Sequence, residues 1–379
     1  MKTVKMGVIG CGLMGREFAS AAARWCHLAE MDVAPVIVAV CDTTPQAKDW
    51  FVERVPSVRQ ACHDYRELLA NPEVEAVYIA VPHHLHREIY CAAIEAGRHL
   101  LGEKPFGIDQ PACEAIMAGL AGHPEVFARC SSESVFFPAV QRIGAMIERG
   151  ELGRIIEVNS SFLHSSDLDP GKPINWKRVT ATNGEYGVMG DLGMHVCHVP
   201  FRAGWYPHDV RAILSNLITE RPDGKGGMAP CETWDNATLL CTARDRDGET
   251  FPLTFKTQRI APGHGNSWFL EIMGARTSAR WTSKQANTLE ILRYDGGEQA
   301  WQVIDVAHDM AYRSITGRIF ETGFSDVILQ MWAAFLHELT HGRPPSAFAG
   351  CVTPGEVACS HRLFTAALRS HAHGTVESV

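Results

Sequence analysis

The hydrophobic residues in the first third of the chain form short β-branched runs, separated by stretches with helical periodicity. The runs are Val4 to Ile9, Val36 to Cys41, Ala76 to Val81 and His99 to Gly102, and the helical patterns begin at Leu13, after Pro45 and near Leu85. Strands that alternate with helices are typical of βαβ units, which build a parallel sheet. We therefore predict an α/β domain over residues 1–130.

The pattern changes after Ser131. A polar loop runs from His164 to Gly187, and from Val210 to Val306 apolar and polar residues alternate between turns. This alternation predicts antiparallel strands that bury one face. Two helical patterns, Ser325 to His341 and Pro354 to Ser370, close the chain. Residues 131–379 are thus predicted to form an α+β domain, with C-terminal helices that can pack back on the first domain.

Composition narrows the choice of partners. The chain has 379 residues, with 43 acidic against 35 basic side chains and a net charge of −8. This length suits two domains, and the negative balance offers no basic surface for nucleic acid. No apolar run approaches the ~20 residues that a membrane-spanning helix needs, so we expect no membrane partner. The 12 cysteines are scattered and never spaced C-x-x-C, which favours reduced thiols and a cytoplasmic location.

A glycine motif follows the first predicted strand and opens the first predicted helix. It consists of Gly10, Cys11, Gly12, Leu13, Met14 and Gly15. Such glycines permit a tight turn and let backbone N–H groups approach a pyrophosphate. The second strand ends at Asp42, whose carboxylate would accept hydrogen bonds from an adenosine ribose and repel a 2′-phosphate, so NAD is predicted rather than NADP. The alternative is a glycine turn without a nucleotide, in which Asp42 caps the helix at Pro45.

The long interval between Gly15 and Asp42 indicates an extended crossover around Trp25 to Pro35.

Two further segments lie just after predicted strands, where the ligands of open α/β sheets collect. The first is Pro82-His83-His84-Leu85-His86, whose imidazoles can line a cofactor crevice or cap the next helix. Because no carboxylate or cysteine partners are near in sequence, no metal is predicted. The second contains Glu103, Lys104 and a proline. A lysine in a dinucleotide crevice can bond a substrate hydroxyl and ease its deprotonation, the alternative being a surface lysine before a turn.

Asp191 and His195 are four residues apart on a predicted helix, so their side chains share one face, and His198 lies nearly below them. An Asp can orient a His and stabilise its imidazolium, which makes His195 a candidate general base. An exposed helical ion pair and a metal triad that includes His198 are the alternatives.

The polar loop before this helix carries candidate substrate contacts. Trp176 can stack on a sugar face, and Lys172, Lys177 and Arg178 can clamp an anionic group. Nearby acidic residues offset these charges, so a solvated loop or an interface arm is the alternative.

Taken together, the glycine motif, Asp42, V-P-H-H-L-H at 81–86, E-K-P at 103–105 and G-D-L-G-M-H at 190–195 resemble the Gfo/Idh/MocA family of NAD(P)-dependent oxidoreductases. The resemblance implies a Rossmann domain, then an α+β domain with a large open, mainly antiparallel sheet that commonly builds dimers or tetramers. It implies that Lys104, Asp191 and His195 are catalytic. Glu103 and His86 match positions that line the cofactor site, and Pro82, His83 and Lys104 are also predicted to bind the cofactor. Family members often have Asn where His83 stands and near Glu133, and Asp where His198 stands.

The predicted function is an NAD-dependent oxidoreductase that moves hydride between the nicotinamide and a secondary hydroxyl of a sugar, cyclitol or sugar acid. Relatives supply an alternative, an NAD-dependent glycosidase acting by oxidation, elimination, hydration and reduction on an anionic glycoside such as a sulfoquinovoside. A third hypothesis, a non-catalytic scaffold, conflicts with the intact catalytic set. The predicted substrate-binding residues are Lys104, Glu133, Lys172, Trp176, Lys177, Arg178, Asp191 and His195.

Overall fold

The computed structural model describes residues 1–245, 247–306, 310–317 and 319–379. Its first part is a layer of parallel strands with helices between them. In chain order the elements are β1 (Lys2–Ile9), α1 (Leu13–Ala23), β2 (Val33–Cys41), α2 (Pro45–Arg54), β3 (Gln60–Cys62), α3 (Tyr65–Leu69), β4 (Ala76–Ile79), α4 (His86–Glu95), β5 (His99–Gly102), α5 (Gln110–Gly122) and β6 (Ala128–Cys130). The six strands pair in the order β3-β2-β1-β4-β5-β6, and every pairing is parallel.

The composition of β2 fits its place between β1 and the edge strand β3. It is apolar throughout, and nearly all of its residues are buried, as expected for a strand covered on both faces. The predicted extended crossover before it contains one 3₁₀ turn, Trp25–His27, and the Trp25 indole donates a 2.8 Å hydrogen bond to the Val33 carbonyl. The predicted parallel α/β architecture is confirmed.

The second part is built around a larger sheet. Its elements are α6 (Pro138–Glu148), β7 (Ile155–His164), α7 (Thr180–Asn183), α8 (Val188–Ala203), β8 (Tyr206–Ser215), β9 (Glu220–Pro222), β10 (Met228–Pro230), β11 (Asn236–Arg244), β12 (Thr250–Gln258), β13 (Asn266–Gly274), β14 (Thr277–Thr282), β15 (Thr288–Arg293), β16 (Gln302–Asp305), α9 (Phe324–His341), α10 (Pro354–His373) and β17 (Glu377–Ser378). Nine strands pair in the order β16-β15-β14-β13-β7-β12-β11-β8-β17, and β9 pairs with β10 separately. Only the β12–β7 pairing is parallel among these described strands, so the predicted mainly antiparallel sheet is confirmed.

The helix α9 returns to the first part of the chain. Trp332 on α9 stacks on Phe18 of α1 with ring centroids 3.8 Å apart, and its edge meets Tyr78 of β4. Burying three aromatic rings together gives this contact a large apolar area. None of the helices in the described ranges has the length and hydropathy that crossing a bilayer requires.

The helix α8 runs through the interior and holds the candidate catalytic side chains. All of its residues except Arg202 are buried. It packs closely on α10 because Gly193 has no side chain: a Cβ there would lie 2.3 Å from the Phe364 ring. A buried helix with such close packing fixes the direction of every side chain that it carries.

Candidate active site

The glycine loop after β1 has the shape that its sequence predicts. Gly10 has a φ of 97°, and a Cβ there would lie 2.2 Å from the Ala80 carbonyl oxygen. A Cβ at Gly15 would lie 2.3 Å from the Gly10 carbonyl oxygen, so α1 packs directly on the turn. Gly12, in contrast, faces open space at the N-terminus of α1, where no acidic residue and no side-chain cap occupy the first N–H groups. Those groups suit a pyrophosphate.

Asp42 is bonded to this loop. Its Oδ2 accepts a 2.8 Å hydrogen bond from the Cys11 amide, and its Oδ1 accepts one from the Thr44 amide at 2.7 Å. Thr44, and not Asp42, is the N-cap of α2. The carboxylate therefore lies between the glycine loop and α2, beside the place that a dinucleotide would take.

Asp191 is the centre of a buried charge cluster. Its carboxylate lies 3.2 Å from Lys104 Nζ, 3.1 Å from Lys177 Nζ and 2.6 Å from Arg259. Lys104 also donates a 2.7 Å hydrogen bond to the Asp191 carbonyl oxygen. Three cations thus surround one carboxylate at the carboxyl edge of the parallel sheet.

These contacts fix the charge of the cluster. Burial alone would raise the pKa of Asp191, but Arg259, Lys104 and Lys177 hold it well below its usual range. Burial alone would lower the pKa of Lys104, yet Asp191 and Glu103 raise it above its usual value. At neutral pH Asp191 is therefore ionised and Lys104 is an ammonium group.

His195 does not take Asp191 as its partner, contrary to the predicted Asp–His pair. Its Nδ1 lies 3.2 Å from Ser132 Oγ and 3.7 Å from Glu133 Oε2, both in the loop after β6. The prediction was wrong because the cations of the cluster occupy the Asp191 carboxylate. Burial and the charge of Lys104 hold the pKa of His195 well below its usual range, so the ring is neutral at neutral pH.

The histidines of the 81–86 segment have separate roles. His83 is buried with Nδ1 3.1 Å from the Asn183 carbonyl oxygen, and its ring meets the edge of Trp176. His86 is fully buried, and its two ring nitrogens lie 2.6 Å and 2.8 Å from the carbonyl oxygens of Pro105 and Val81. We therefore give His86 a structural role in place of the cofactor contact that the family resemblance implies.

Glu103 is also largely turned inward. Its Oε1 accepts 2.6 Å hydrogen bonds from Tyr78 and from Ser131. Pro82 lies next to His83 at the start of the same turn. In the described ranges no group of three or more His, Cys, Asp or Glu side chains is arranged to hold a metal ion.

Some residues of the loop before α8 face the Asp191 charge cluster, and others form ion pairs elsewhere that hold the loop in place. Trp176 and Lys177 lie at the cluster, beside His83 and Asp191. Lys172 instead bonds Asp167 and the Ser166 carbonyl oxygen. Arg178 is fully buried in an ion pair with Asp235. Lys172 and Arg178 are thus bonded to acidic side chains of the protein and do not form the predicted contact with an anionic substrate group.

Arg259 and Ser132 belong to the site, and the sequence patterns did not indicate either. Arg259 follows β12 directly, and β12 runs parallel to β7, whose last residue His164 also lies near the cluster. The signal that the sequence offered was an arginine placed directly after a strand with alternating apolar and polar residues. Ser132 had none, because short serine segments also occur in ordinary turns.

The fold and the site together define a class. A glycine loop with a carboxylate after the second strand, joined to a buried lysine and histidine at the same sheet edge, is the arrangement of a dinucleotide-dependent oxidoreductase. Residues 4–128 match the sequence model of the Gfo/Idh/MocA oxidoreductase family, NAD-binding Rossmann fold, and residues 140–280 match that of the GFO/IDH/MocA C-terminal domain. The chain belongs to the Gfo/Idh/MocA family.

Known relatives span most of the chain. Levoglucosan dehydrogenase of Pseudarthrobacter phenanthrenivorans is 29% identical over 311 residues, which cover 77% of this chain and 76% of that protein. The 2,7-anhydro-N-acetylneuraminate hydratase of Mediterraneibacter gnavus is 27% identical over 57% of this chain and 54% of its own. A solved levoglucosan dehydrogenase, in complex with NADH and L-sorbose, superposes with a TM-score of 0.88 at 23% identity, covering 100% of this chain and 99% of that one. At this identity the structural likeness shows the fold.

The cofactor is NAD. The first family model describes an NAD-binding domain, and the open glycine loop and Asp42 fit it. The residues proposed to hold it are Gly10, Gly12, Leu13, Met14, Gly15, Asp42, Pro82, His83 and Lys104.

Proposed function

We propose that the protein oxidises a secondary hydroxyl of a sugar, cyclitol or sugar acid and passes the hydride to NAD. The observation that carries the proposal is the geometry of two groups with opposite pKa shifts: Asp191, 3.2 Å away, raises the pKa of Lys104, whereas burial and the charge of Lys104 hold the pKa of His195 well below its usual range. Neighbouring groups whose pKa values are pushed apart have separate acid and base roles.

The residues divide the work as follows. Bound NAD supplies the hydride acceptor. The Lys104 ammonium donates a hydrogen bond to the substrate oxygen and stabilises its negative charge as the O–H bond breaks. Neutral His195 accepts the hydroxyl proton, while the C–H electron pair leaves as hydride and the carbonyl forms. Asp191 stays ionised and holds Lys104 through the 3.2 Å contact.

A carbohydrate suits the walls of the site. Trp176 offers an aromatic surface beside His83, and Lys177 Nζ lies 5.7 Å from the same ring. Aromatic faces bind the apolar faces of sugars, and a lysine beside one can bond a hydroxyl or a carboxylate. The similarity to levoglucosan dehydrogenase supports the same substrate class.

A second candidate is the redox-neutral glycosidase. The similarity to a hydratase as well as to a dehydrogenase favours it, because both chemistries occur among relatives with related sequences. In this reaction the reduced cofactor would return the hydride to the sugar at the end of each turnover, and a group beside the ring, His195, Lys104 or Glu133, would remove a carbon-bound proton.

One experiment separates the two candidates. The purified protein is given neutral and anionic sugars and aryl glycosides with substoichiometric NAD, and NADH and released aglycone are both measured. We expect NADH to rise to the limit set by the cofactor without aglycone release. Aglycone in large excess over NAD, without lasting NADH, would establish the glycosidase instead.

We also propose that the chain forms a homodimer or homotetramer through the open face of the nine-stranded sheet. That face exposes Ile213 and Leu240 on the adjacent strands β8 and β11, by 61% and 51%, and contains a groove of about 250 Å³. We expect a dimer or tetramer mass by light scattering, and a lower mass for Leu240→Lys. Leu217→Lys, an exposed leucine outside the sheet, should leave the mass unchanged, and a monomeric wild-type protein would contradict the proposal.

A further inference from the structure

The imidazole of His195 faces a different carboxylate from the one on its own helix. Asp191 lies one turn earlier on α8, but Lys104, Lys177 and Arg259 occupy its oxygens. Glu133 instead places Oε2 3.7 Å from His195 Nδ1, with Ser132 Oγ 3.2 Å from the same nitrogen.

The loop that carries Glu133 is fixed on both sides. Ser131 donates to Glu103, and Ser134 donates a 3.1 Å hydrogen bond to the His195 carbonyl oxygen. Glu133 itself is only 6% exposed. The residues on the two sides of Glu133 are therefore bonded to Glu103, just after β5, and to α8. These bonds hold the Glu133 carboxyl group in place beside the imidazole.

Glu133 is poised to change its charge near neutral pH. Burial raises its pKa to about 7, and the neighbouring carboxylate of Glu103 adds to this while Lys104 opposes it. The titratable groups around the pair are Tyr78 on β4, Glu103 and Lys104 after β5, Asp191 and His198 on α8, and His164 at the end of β7. Of these, Asp191 is ionised, whereas burial and nearby charges hold the pKa of His198 to about 3 and that of His164 to about 4, so both rings are neutral.

We propose that Glu133 is the positioning partner of His195, which orients the imidazole through Nδ1 and stabilises the imidazolium that forms when Nε2 takes the hydroxyl proton. This inference rests on the proposed oxidation of a hydroxyl. The balance is simple: the substrate O–H bond breaks, an Nε2–H bond forms, and the Glu133 carboxylate, 3.7 Å from Nδ1, balances the positive charge of the imidazolium. Asp191, which cannot reach this role while it holds three cations, serves Lys104.

The first test is the pH profile of a single turnover, with NADH formation as the signal. In the wild-type protein the rate should fall as the pH drops through about 7, because Glu133 becomes protonated and loses its negative charge. Glu133→Gln should lower the rate about tenfold above that pH and abolish this fall, since a neutral amide replaces the charge-assisted partner. Glu133→Asp, which keeps a carboxylate, should show part of the decrease in rate at low pH that Glu133→Gln lacks. Ser132→Ala, which leaves the carboxylate in place, should retain it.

The second test needs no substrate. In protein with isotope-labelled histidine, the His195 ring resonances, assigned by comparison with His195→Gln, should shift as Glu133 titrates near neutral pH, and this shift should vanish in Glu133→Gln. An unchanged shift in Glu133→Gln, or a rate that is lowered equally at every pH, would overturn the inference. A Glu133-dependent shift in a protein that oxidises none of the sugars would support the pairing and refute the proposed function alone.

Discussion

Replacing Lys104 with Met should lower the turnover number by about a thousandfold and NAD affinity far less, because the other residues proposed to hold the cofactor remain in place. Lys104 is the charged donor at the site, and removal of one preorganised donor to a developing oxyanion costs ~10²–10³ in rate. The structure predicts that the variant folds, because Lys177 and Arg259 still neutralise Asp191 at 3.1 Å and 2.6 Å. The turnover number is measured in the steady state with the active sugar, and NAD binding is measured by calorimetry without the sugar.

A matched control separates this effect from a general loss of charge. Lys225 is exposed in the turn between β9 and β10, far from the cluster in sequence. Lys225→Met should keep wild-type turnover. If Lys104→Met kept wild-type turnover as well, the catalytic assignment of Lys104 would fail.

The elements were predictable where their pattern is local. The first strand, the glycine turn and the first helix follow from a β-branched run and from glycines that a Cβ would block. The short strands β3 and β6, each of three residues, were missed because three residues carry no periodicity. The same holds for β17, which is only two residues long and pairs with β8.

The sequence predicted several residues of the candidate site, but it did not predict which of their side chains contact each other. Spacing on a helix places Asp191 and His195 on one face, but it cannot show that Arg259, 68 positions after Asp191, lies 2.6 Å from that carboxylate. Likewise Arg178 and Lys177 are neighbours in the loop, yet one is fully buried against Asp235 and the other faces Asp191. Such choices depend on which strand end lies opposite, and local sequence does not contain that information.

Replacing Asp42 with Ser should weaken NAD binding by about 10–100-fold, which corresponds to ~1.5–3 kcal/mol for hydrogen bonds to a charged group. The carboxylate is proposed to bond the adenosine ribose, and its negative charge would repel a 2′-phosphate. The ratio of NAD to NADP affinity should therefore fall, because the substitution removes a bond to NAD and a repulsion of NADP. Calorimetric titration of both cofactors measures this ratio directly.

A second contribution must be separated from the first, because Asp42 also accepts the Cys11 amide at 2.8 Å. Losing that bond would loosen the glycine loop and weaken both cofactors equally. Asp42→Asn keeps a side-chain acceptor for the loop and removes the charge, so it should raise NADP affinity relative to NAD with little loss of common binding. Asp49→Ser, an exposed acid on α2, should change neither affinity. If Asp42→Ser and Asp42→Asn left the preference unaltered, the ribose would lie elsewhere and Asp42 would serve only to hold the glycine loop.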